Sequence, residues 1–213
     1  MNDSEKSWQT RANRVMQAGN ETEVREGYDA WAKEYDADHE NFGLLLLAHF
    51  VGMFCRHVKP DSAPILDAGA GTGRLGAALS LHGYDNFVGI DLSPGMLEIA
   101  ASKPAYHKTL VQRLGDTLDF EDSSFPVVAS LGAFAPNLAR AEAFDELIRI
   151  TQPGGILVLS MRAGLESETG FDHRRHEIES EGRWHYLDGI SNFISHPEID
   201  KSLRYSIHVY QKS

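Results

Sequence analysis

From residue 64 onward, the chain alternates short apolar runs with segments of helical periodicity. Short apolar runs bounded by turn residues are typical of buried strands. Apolar residues spaced three and four apart then indicate helices that pack one face on a sheet. The predicted strands are residues 65–66, 87–91, 109–113, 126–131 and 156–161. This alternation predicts an α/β fold with a doubly wound, mostly parallel sheet and helices on both faces.

The region before this alternation is predicted to be helical. Asn20 and Glu23 have the spacing of a capping box, and the helix that they open runs to about Asp38. A short helix is compatible with residues 11–18. Residues 44–58 are the most apolar stretch, but they are too short and too polar to cross a membrane, so they predict a core helix.

The C-terminal region predicts a helix at 172–182 and strands at 184–193 and 204–211, which pair as an antiparallel hairpin added to the sheet. No repeat or low-complexity linker interrupts the chain, so we expect one domain over residues 1–213. Its expected parts are an N-terminal helical lid with a core helix (1–58), a ligand-binding core (64–162), and a C-terminal helix with a hairpin (163–213).

One face of the first long helix is aromatic. Val24, Tyr28, Trp31 and Tyr35 follow one another at helical spacing. Such a stripe either packs on the core or forms a lid whose aromatic faces cover a planar, positively charged ligand. A cation over an aromatic face is favourable by about 0.5–2 kcal/mol.

A glycine-rich turn follows the first predicted strand. Gly69, Gly71 and Gly73 stand at alternate positions, directly after Asp67 and before a helix. A strand, a glycine turn and a helix N-terminus together form an anion-binding device, although a simple tight turn has the same pattern. The spacing G-x-G-x-G differs from the dinucleotide fingerprint. Because Asp67 would repel a pyrophosphate and attract an ammonium group, the turn favours an amino acid attached to a nucleoside, such as S-adenosylmethionine.

Asp91 ends the second predicted strand, 18 residues after Gly73. In βαβ units that bind nucleotides, a carboxylate at this position accepts hydrogen bonds from the ribose hydroxyls. The next helix is predicted to begin with Ser93 as N-cap and Pro94 in its first turn. A nucleoside-binding unit is therefore expected over the first two strands.

Charge and cysteine content limit the binding partners and the cellular location that we expect for this protein. The chain of 213 residues carries 20 basic and 31 acidic side chains, a formal net charge of −11. No dense basic stripe is present, which disfavours nucleic acid as a partner. The single cysteine, Cys55, excludes an internal disulfide and fits a core helix position. The polar N-terminus lacks the apolar segment of a secretory signal, so we expect a cytoplasmic protein without membrane contacts.

Residues 28–162 resemble class I S-adenosylmethionine-dependent methyltransferases, because several motifs occur in the same order and spacing. Within that superfamily, residues 28–36, VGIDLSPGML (88–97) and SLGAF (130–134) are most similar to the methyltransferase-like group from the Williams–Beuren syndrome region. The resemblance implies a Rossmann-like methyltransferase fold, S-adenosyl-L-methionine as cofactor, and methylation of an acceptor by in-line displacement.

The resemblance also implies a cofactor site at the carboxyl ends of the strands. The glycines lie under the methionine portion with Asp67 near its amino group, Asp91 holds the ribose, and Asp116 accepts from the adenine amino group. The remaining residues flank the adenine, line the methionine arm or close over the cofactor. The implied cofactor-binding residues are Tyr28, Trp31, Tyr35, Asp67, Gly69, Ala70, Gly71, Gly73, Asp91, Leu92, Met96, Asp116, Thr117, Leu131 and Gly132.

The acceptor is less defined by the sequence than the cofactor. The chain has almost no insertion after the fourth or the fifth strand, so we expect a small acceptor bound by the N-terminal helix and the strand-end loops. No general base is evident. Arg162 either faces the acceptor or has a plain surface role, and His107 is expected in the loop before the third strand. His173 and His176 are spaced like metal ligands, but a solvated helix face is the expectation and no metal site is predicted.

Three classes of function are compatible with the sequence. The first is a small-molecule methyltransferase. The second is a nicotinamide-dependent oxidoreductase, which the glycine spacing and Asp67 disfavour. The third is a protein that binds S-adenosylmethionine for regulation, or an enzyme that uses this cofactor for another purpose.

Overall fold

The computed structural model describes residues 3–42, 44–134, 139–164, 170–197 and 200–213. Its helices are α1 (Asp3–Met16), α2 (Glu21–Phe42), α3 (Leu44–His57), α4 (Arg74–Ser80), α5 (Pro94–Ala101), α6 (Ala143–Ile150) and α7 (Phe171–Ser180). Its strands are β1 (Ile65–Ala68), β2 (Phe87–Asp91), β3 (Tyr106–Val111), β4 (Phe125–Phe134), β5 (Thr151–Arg162), β6 (Trp184–His196) and β7 (Asp200–Lys212).

The described strands form one mixed sheet in the order β3-β2-β1-β4-β5-β7-β6. Strands β1 to β5 are parallel, whereas β7 pairs antiparallel with β5 and β6 pairs antiparallel with β7. The chain order reverses between β1 and β4. This is the switch point at which open α/β sheets bind ligands. The predicted doubly wound sheet and its C-terminal hairpin are confirmed.

Apolar side chains cover the sheet on both faces. Phe54 of α3 and Leu79 of α4 pack on one face, and Phe144 of α6 packs on the other. Neighbouring residues of β1 alternate between the layers, with Ile65 on the first face and Leu66 on the second. Burial on both faces explains why the central strands are uniformly apolar.

Helices α1 and α2 form a separate small cluster over one end of the sheet. Trp8 and Val15 of α1 pack with Trp31 of α2. Arg11 of α1 donates to both carboxylate oxygens of Asp38, with Nε–Oδ2 2.9 Å and Nη2–Oδ1 2.8 Å. The indole N–H of Trp31 donates to Asp38 Oδ2 at 2.7 Å. The two helices are therefore joined by apolar and by charged contacts.

The predicted helix starts are confirmed at atomic detail. Asn20 Oδ1 accepts from the Glu23 N–H at 3.0 Å, while the Glu23 carboxylate accepts from the Gly19 N–H at 2.8 Å. The second bond reaches one residue further back than in a standard capping box. Ser93 Oγ accepts from the Met96 N–H at 3.1 Å at the start of α5.

Several element boundaries differ from the sequence prediction, among them those of β3 and α1. Strand β3 begins at Tyr106 rather than at residue 109, because Tyr106 pairs with Phe87 of β2 and its ring is buried. His107 therefore lies in β3, and its predicted loop position was wrong. Helix α1 is longer than the short helix predicted at 11–18. In both places the added residues are mostly polar, so no apolar pattern marked them.

Candidate cofactor site

The turn after β1 requires glycine. Gly69 and Gly73 have φ angles of 80° and 79°, in the region that other residues avoid. A Cβ atom on Gly69 would lie 2.4 Å from the Cβ of Ala133. The Gly69 N–H donates to the Ile90 carbonyl at 2.8 Å, which holds the turn against β2. The backbone of this turn is thus fixed at the carboxyl end of β1.

Asp67 is fully buried directly before the turn. Its Oδ2 accepts from the Tyr106 hydroxyl at 2.5 Å, while its Oδ1 has no hydrogen-bond partner among the described residues. Burial raises the pKa of Asp67 to about 7; the Tyr106 hydrogen bond opposes this shift and the charge of Asp91 adds to it. A buried carboxylate oxygen without a partner is costly, and a cationic donor would satisfy it.

The Tyr106 ring reaches Asp67 through a cradle of glycines. A Cβ atom on Gly73 or Gly76 would lie 2.6 Å from a ring carbon, and one on Gly89 would lie 3.1 Å from the ring. The Tyr106 hydroxyl also accepts from the Gly76 N–H at 3.1 Å. Gly73, a predicted cofactor residue, therefore also makes space for the side chain that holds Asp67.

Asp91 lies at the end of β2, and both of its carboxylate oxygens accept hydrogen bonds. Oδ2 accepts from the Gly71 N–H at 2.8 Å, and Oδ1 accepts from the Ser93 N–H at 2.9 Å. Burial raises the pKa of Asp91, and these backbone hydrogen bonds oppose the shift. Each oxygen retains a further lone pair. The carboxylate is thus held in one orientation and can still accept hydrogen bonds from a pair of hydroxyls.

Helix α2 is attached to this site at two points. Asp29 accepts from the Ser93 hydroxyl at 2.6 Å. Asp36, seven residues later and on the same face, accepts from Lys103 Nζ at 2.6 Å and from the Thr72 hydroxyl. The helix is therefore fixed both to the start of α5 and to the glycine turn.

Two adjoining cavities lie at the carboxyl ends of β1, β2 and β4, and together we call them the cofactor cavity. The larger, of about 110 Å³, contains six of the predicted residues: Tyr28, Gly69, Asp91, Leu92, Leu131 and Gly132. The smaller, of about 40 Å³, shares Gly69 and Leu131 with it. Predicted residues that line this smaller cavity are Tyr35, Asp67 and Ala70. The structure therefore brings most of the predicted residues together.

Other predicted residues stand behind the cavity or beside it. Gly71 does not line the cofactor cavity, but its N–H donates to Asp91, which does. Met96 is buried in α5, with 1% of its surface exposed. Trp31 packs against α1 and borders a different cavity. Asp116 and Thr117 line a shallow neighbouring groove. That groove shares residues with the larger cavity, namely Gln112 and Arg113.

Several lining residues were not predicted from the sequence. Gln112, Arg113 and Leu114 directly follow β3 and line the larger cavity. Their position directly after a strand could have identified them as lining residues. The sequence prediction missed them because it placed the boundary of β3 incorrectly. Arg74 opens α4 and lines the smaller cavity together with Asp67. A basic and an acidic residue thus border one cavity, and an α-amino acid group carries the complementary pair of charges.

Comparison with known proteins assigns this chain to a class. Residues 65–155 match the family described as "Methyltransferase domain". Human methyltransferase-like protein 27 is 32% identical over 168 residues, which cover 75% of this chain and 67% of the human protein. The chain belongs to the S-adenosylmethionine-dependent methyltransferases, a class of enzymes. It spans 61% or less of the length of several bacterial methyltransferases that it matches.

Solved structures share the fold at low sequence identity. A chain in the complex between the Haloferax volcanii Trm112 methyltransferase activator and a putative methyltransferase has a TM-score of 0.68 and 21% identity, covering 89% of this chain and 97% of that one. The [4+2]-cyclase SpnF has a TM-score of 0.70 and 15% identity, covering 92% of this chain and 97% of that one. The same architecture therefore occurs in proteins with different chemistry.

The described residues contain neither a membrane-spanning helix nor a metal-binding cluster. None of the described helices is both long and apolar enough to cross a membrane. Within the same residues, no group of three or more His, Cys, Asp or Glu side chains is placed to hold a metal ion. His173 instead lies 3.5 Å from Glu177, on the same helix.

Proposed function

We propose that this protein binds S-adenosylmethionine in the cofactor cavity and transfers the methyl group to a small-molecule acceptor. The observation that carries the proposal is the unpartnered Oδ1 of buried Asp67, in one cavity with Arg74. An ammonium group can donate to Asp67, and a carboxylate can accept from Arg74. Neither a pyrophosphate nor a nicotinamide offers both groups.

The chain's own side chains would hold the cofactor along the turn. Asp67 and Arg74 take the amino acid end, and the spare lone pairs of Asp91 accept from the ribose hydroxyls. Leu92 and Leu114 supply apolar surface for the adenine. When bound, S-adenosylmethionine supplies a methyl group whose carbon–sulfur bond breaks with the electron pair kept on sulfur, while the acceptor atom bonds to the methyl carbon and releases any proton that it carries. Positioning alone can contribute about 7–11 kcal/mol to such a displacement.

The remaining predicted contacts belong to the same proposal. Tyr28 and Tyr35 cover the cofactor from α2, and Asp116 and Thr117 contact the adenine across the groove that adjoins the larger cavity. The predicted cytoplasmic location, the absence of a nucleic-acid partner and the membership of the Williams–Beuren region group also remain proposals. The net charge of −11 supports the absence of a nucleic-acid partner, and the similarity to a human methyltransferase-like protein supports the membership of that group.

A second candidate function is binding of the cofactor without methyl transfer. The structural similarity to the cyclase SpnF favours this alternative, because its name describes a different reaction. In that case the residues around the glycine turn keep their roles, and no acceptor is methylated.

A thermal-shift experiment tests the cofactor assignment. Ligand at a hundred times its Kd stabilises a protein by about 2.7 kcal/mol. At about 2–4 °C per kcal/mol for a chain of this size, this corresponds to a rise in Tm of about 5–11 °C. We expect this shift with S-adenosylmethionine and with S-adenosylhomocysteine, and no shift with NAD. A shift with NAD alone would overturn the proposal.

A turnover experiment separates the two candidate functions. The protein is incubated with labelled S-adenosylmethionine and a metabolite extract, and the release of S-adenosylhomocysteine is followed. Release that depends on the extract supports methyl transfer. Binding without release over a broad set of acceptors supports the second candidate.

A further inference from the structure

A second cavity, which we call the acceptor cavity, lies on the other side of Tyr28. It has a volume of about 230 Å³ and is formed by α1, α2, the end of β5, the end of β6 and the start of β7. Tyr28 lines both this cavity and the larger part of the cofactor cavity. The two cavities therefore meet at Tyr28.

The walls of the acceptor cavity are rich in aromatic rings. Trp31 lies nearly parallel to Tyr28, with ring centroids 6.4 Å apart, and is 5.6 Å from His39. Trp8 lies 5.7 Å from His196, whose ring is 6.4 Å from that of His39. An apolar cavity of about 150 Å³ is sufficient for benzene, so this one has room for about one or two rings. Its shape and lining favour a planar aromatic compound.

Hydrogen bonds fix the neutral form of His39. Its Nδ1 lies 2.9 Å from the Tyr35 carbonyl oxygen, which can only accept. Nδ1 therefore carries the proton, and Nε2 carries a lone pair. Burial, followed by the charge of Arg74, lowers the pKa of His39 to about 3, so the ring is neutral at pH 7.

His196 is held in the same tautomer by a different chain of bonds. Its Nδ1 lies 2.8 Å from Ser195 Oγ, and that hydroxyl donates its only proton to the Leu203 carbonyl at 3.0 Å. Nδ1 must therefore donate to Ser195. The remaining Nε2 is buried, and it has no hydrogen-bond partner in the described part of the chain. Two imidazole nitrogens that can only accept thus belong to residues lining one cavity, and the buried Nε2 of His196 requires a donor.

A cation at the end of β5 requires the opposite kind of group. Within the described ranges, the hydrogen-bond partner of the Arg162 guanidinium is the thioether of Met16, with Nη1–Sδ 3.8 Å. Asp200 also borders the cavity, but its Oδ1 already accepts from the backbone and the hydroxyl of Ser202. Those bonds lower its pKa most, and the charge of Arg162 contributes. Guanidinium groups form their strongest hydrogen bonds with anionic oxygens.

We propose that the acceptor cavity binds a hydroxylated aromatic acid of one or two rings, with its hydroxyl toward His39 and His196 and its carboxylate toward Arg162. This inference rests on the proposed function, because the bound compound is the methyl acceptor. The hydroxyl supplies one proton, which the buried Nε2 of His196 lacks among the described residues. The carboxylate supplies an anionic acceptor for Arg162, whose hydrogen-bond partner within the described residues is a thioether, and an ammonium substituent would be repelled there.

Binding of four matched compounds to the unmodified protein tests the inference. The protein is saturated with S-adenosylhomocysteine and titrated in a calorimeter with 6-hydroxy-2-naphthoate, 2-naphthoate, 2-naphthol and naphthalene, with 4-hydroxybenzoate as a one-ring probe. We expect the hydroxy acid to bind about tenfold more tightly than 2-naphthoate or 2-naphthol, since each of these leaves a buried polar group unpaired. Equal affinities for the hydroxy acid and its two truncated forms would overturn the inference.

Two variants locate the bound groups. R162Q should remove the advantage of 6-hydroxy-2-naphthoate over 2-naphthol, while H39F should reduce its advantage over 2-naphthoate. R56Q, in which an arginine with 70% side-chain exposure changes outside the cavity, should leave every affinity unchanged. Preferences unaltered by R162Q would place the carboxylate elsewhere and refute the assignment.

The two proposals fail in different ways. If S-adenosylhomocysteine binds but none of the aromatic compounds does, the acceptor assignment is wrong and the cofactor assignment stands. If S-adenosylhomocysteine itself does not bind, the proposed function fails. The ligand comparison uses the unmodified protein, so it remains decisive even if H39F does not fold.

Discussion

The cofactor cavity and the acceptor cavity share Tyr28 but are built in different ways. The first is formed by a backbone turn and by carboxylates that each accept defined hydrogen bonds, most of them from backbone N–H groups. The second is formed by side chains from five elements between Trp8 and Tyr205. Side chains can change without disturbing a backbone turn. The acceptor cavity can therefore adapt to another ligand while the cofactor cavity stays the same.

The largest expected effect is at Asp91. D91A removes the proposed acceptor of two ribose hydroxyls and leaves the Gly71 and Ser93 N–H groups without their partner. Hydrogen bonds to a charged group contribute about 1.5–3 kcal/mol each, so S-adenosylhomocysteine should bind about a thousandfold more weakly by calorimetry. The exposed Asp85 provides the control, D85A. Unchanged affinity in D91A would show that the ribose is bound elsewhere.

A pair of glycines tests how rigid the turn is. Gly69 and Gly132 both have positive φ, but a Cβ on Gly69 would meet Ala133 whereas one on Gly132 would have open space. The left-handed conformation costs a non-glycine residue about 1–2 kcal/mol, and overpacking adds about 1–3 kcal/mol. Urea unfolding should show that G132A loses only the stability associated with the left-handed conformation. G69A should lose this and the additional stability associated with overpacking. Equal losses would mean that Ala133 moves aside.

This contrast explains what the sequence predicted and what it did not. The glycine turn directly follows Asp67, and Asp91 lies at a fixed spacing after the turn. Their position at the same edge of the sheet could therefore be predicted from strand order alone. The sheet was predicted for the same reason, because its central strands are continuous apolar runs. Strand β3 lies at the edge of the sheet with polar residues at its start, and its boundary was therefore misplaced.

The aromatic stripe shows the limit of periodicity. The spacing places Tyr28, Trp31 and Tyr35 on one face of α2, but it does not state what that face contacts. In the structure Trp31 packs against α1, whereas the two tyrosines border the cofactor cavity. His196 joins the acceptor cavity only through the hairpin of β6 and β7. No local pattern predicts such a long-range contact.

A smaller effect concerns the proton on Asp67. Since the pKa of Asp67 is about 7, the carboxyl is about half protonated at pH 7. An ammonium ligand favours the charged form, so S-adenosylhomocysteine should release about half a proton at pH 7 and bind more tightly as the pH rises from 6 to 8. Calorimetry in buffers of different ionisation enthalpy measures this release.

The control for Asp67 is a ligand without the amino acid end. 5′-Methylthioadenosine should bind without proton release, because nothing then approaches Asp67. Y106F removes the hydrogen bond that lowers the pKa of Asp67, so it should increase the release caused by S-adenosylhomocysteine at pH 7. Equal proton release by the two ligands would show that Asp67 does not contact the amino acid end of the ligand.

The smallest expected effect lies in α2, the helix that the two cavities share. D36N weakens the contacts of this helix with Lys103 and Thr72 at the glycine turn, while the contact of Asp29 with Ser93 remains. A partly exposed ion pair contributes up to about 1 kcal/mol, so affinity should fall less than tenfold. The fall should appear both for S-adenosylhomocysteine and for 6-hydroxy-2-naphthoate, and the exposed Glu34 on the same helix gives the control, E34Q. If only one ligand is affected, α2 does not couple the cavities, and Tyr28 is then a passive wall between two independent sites.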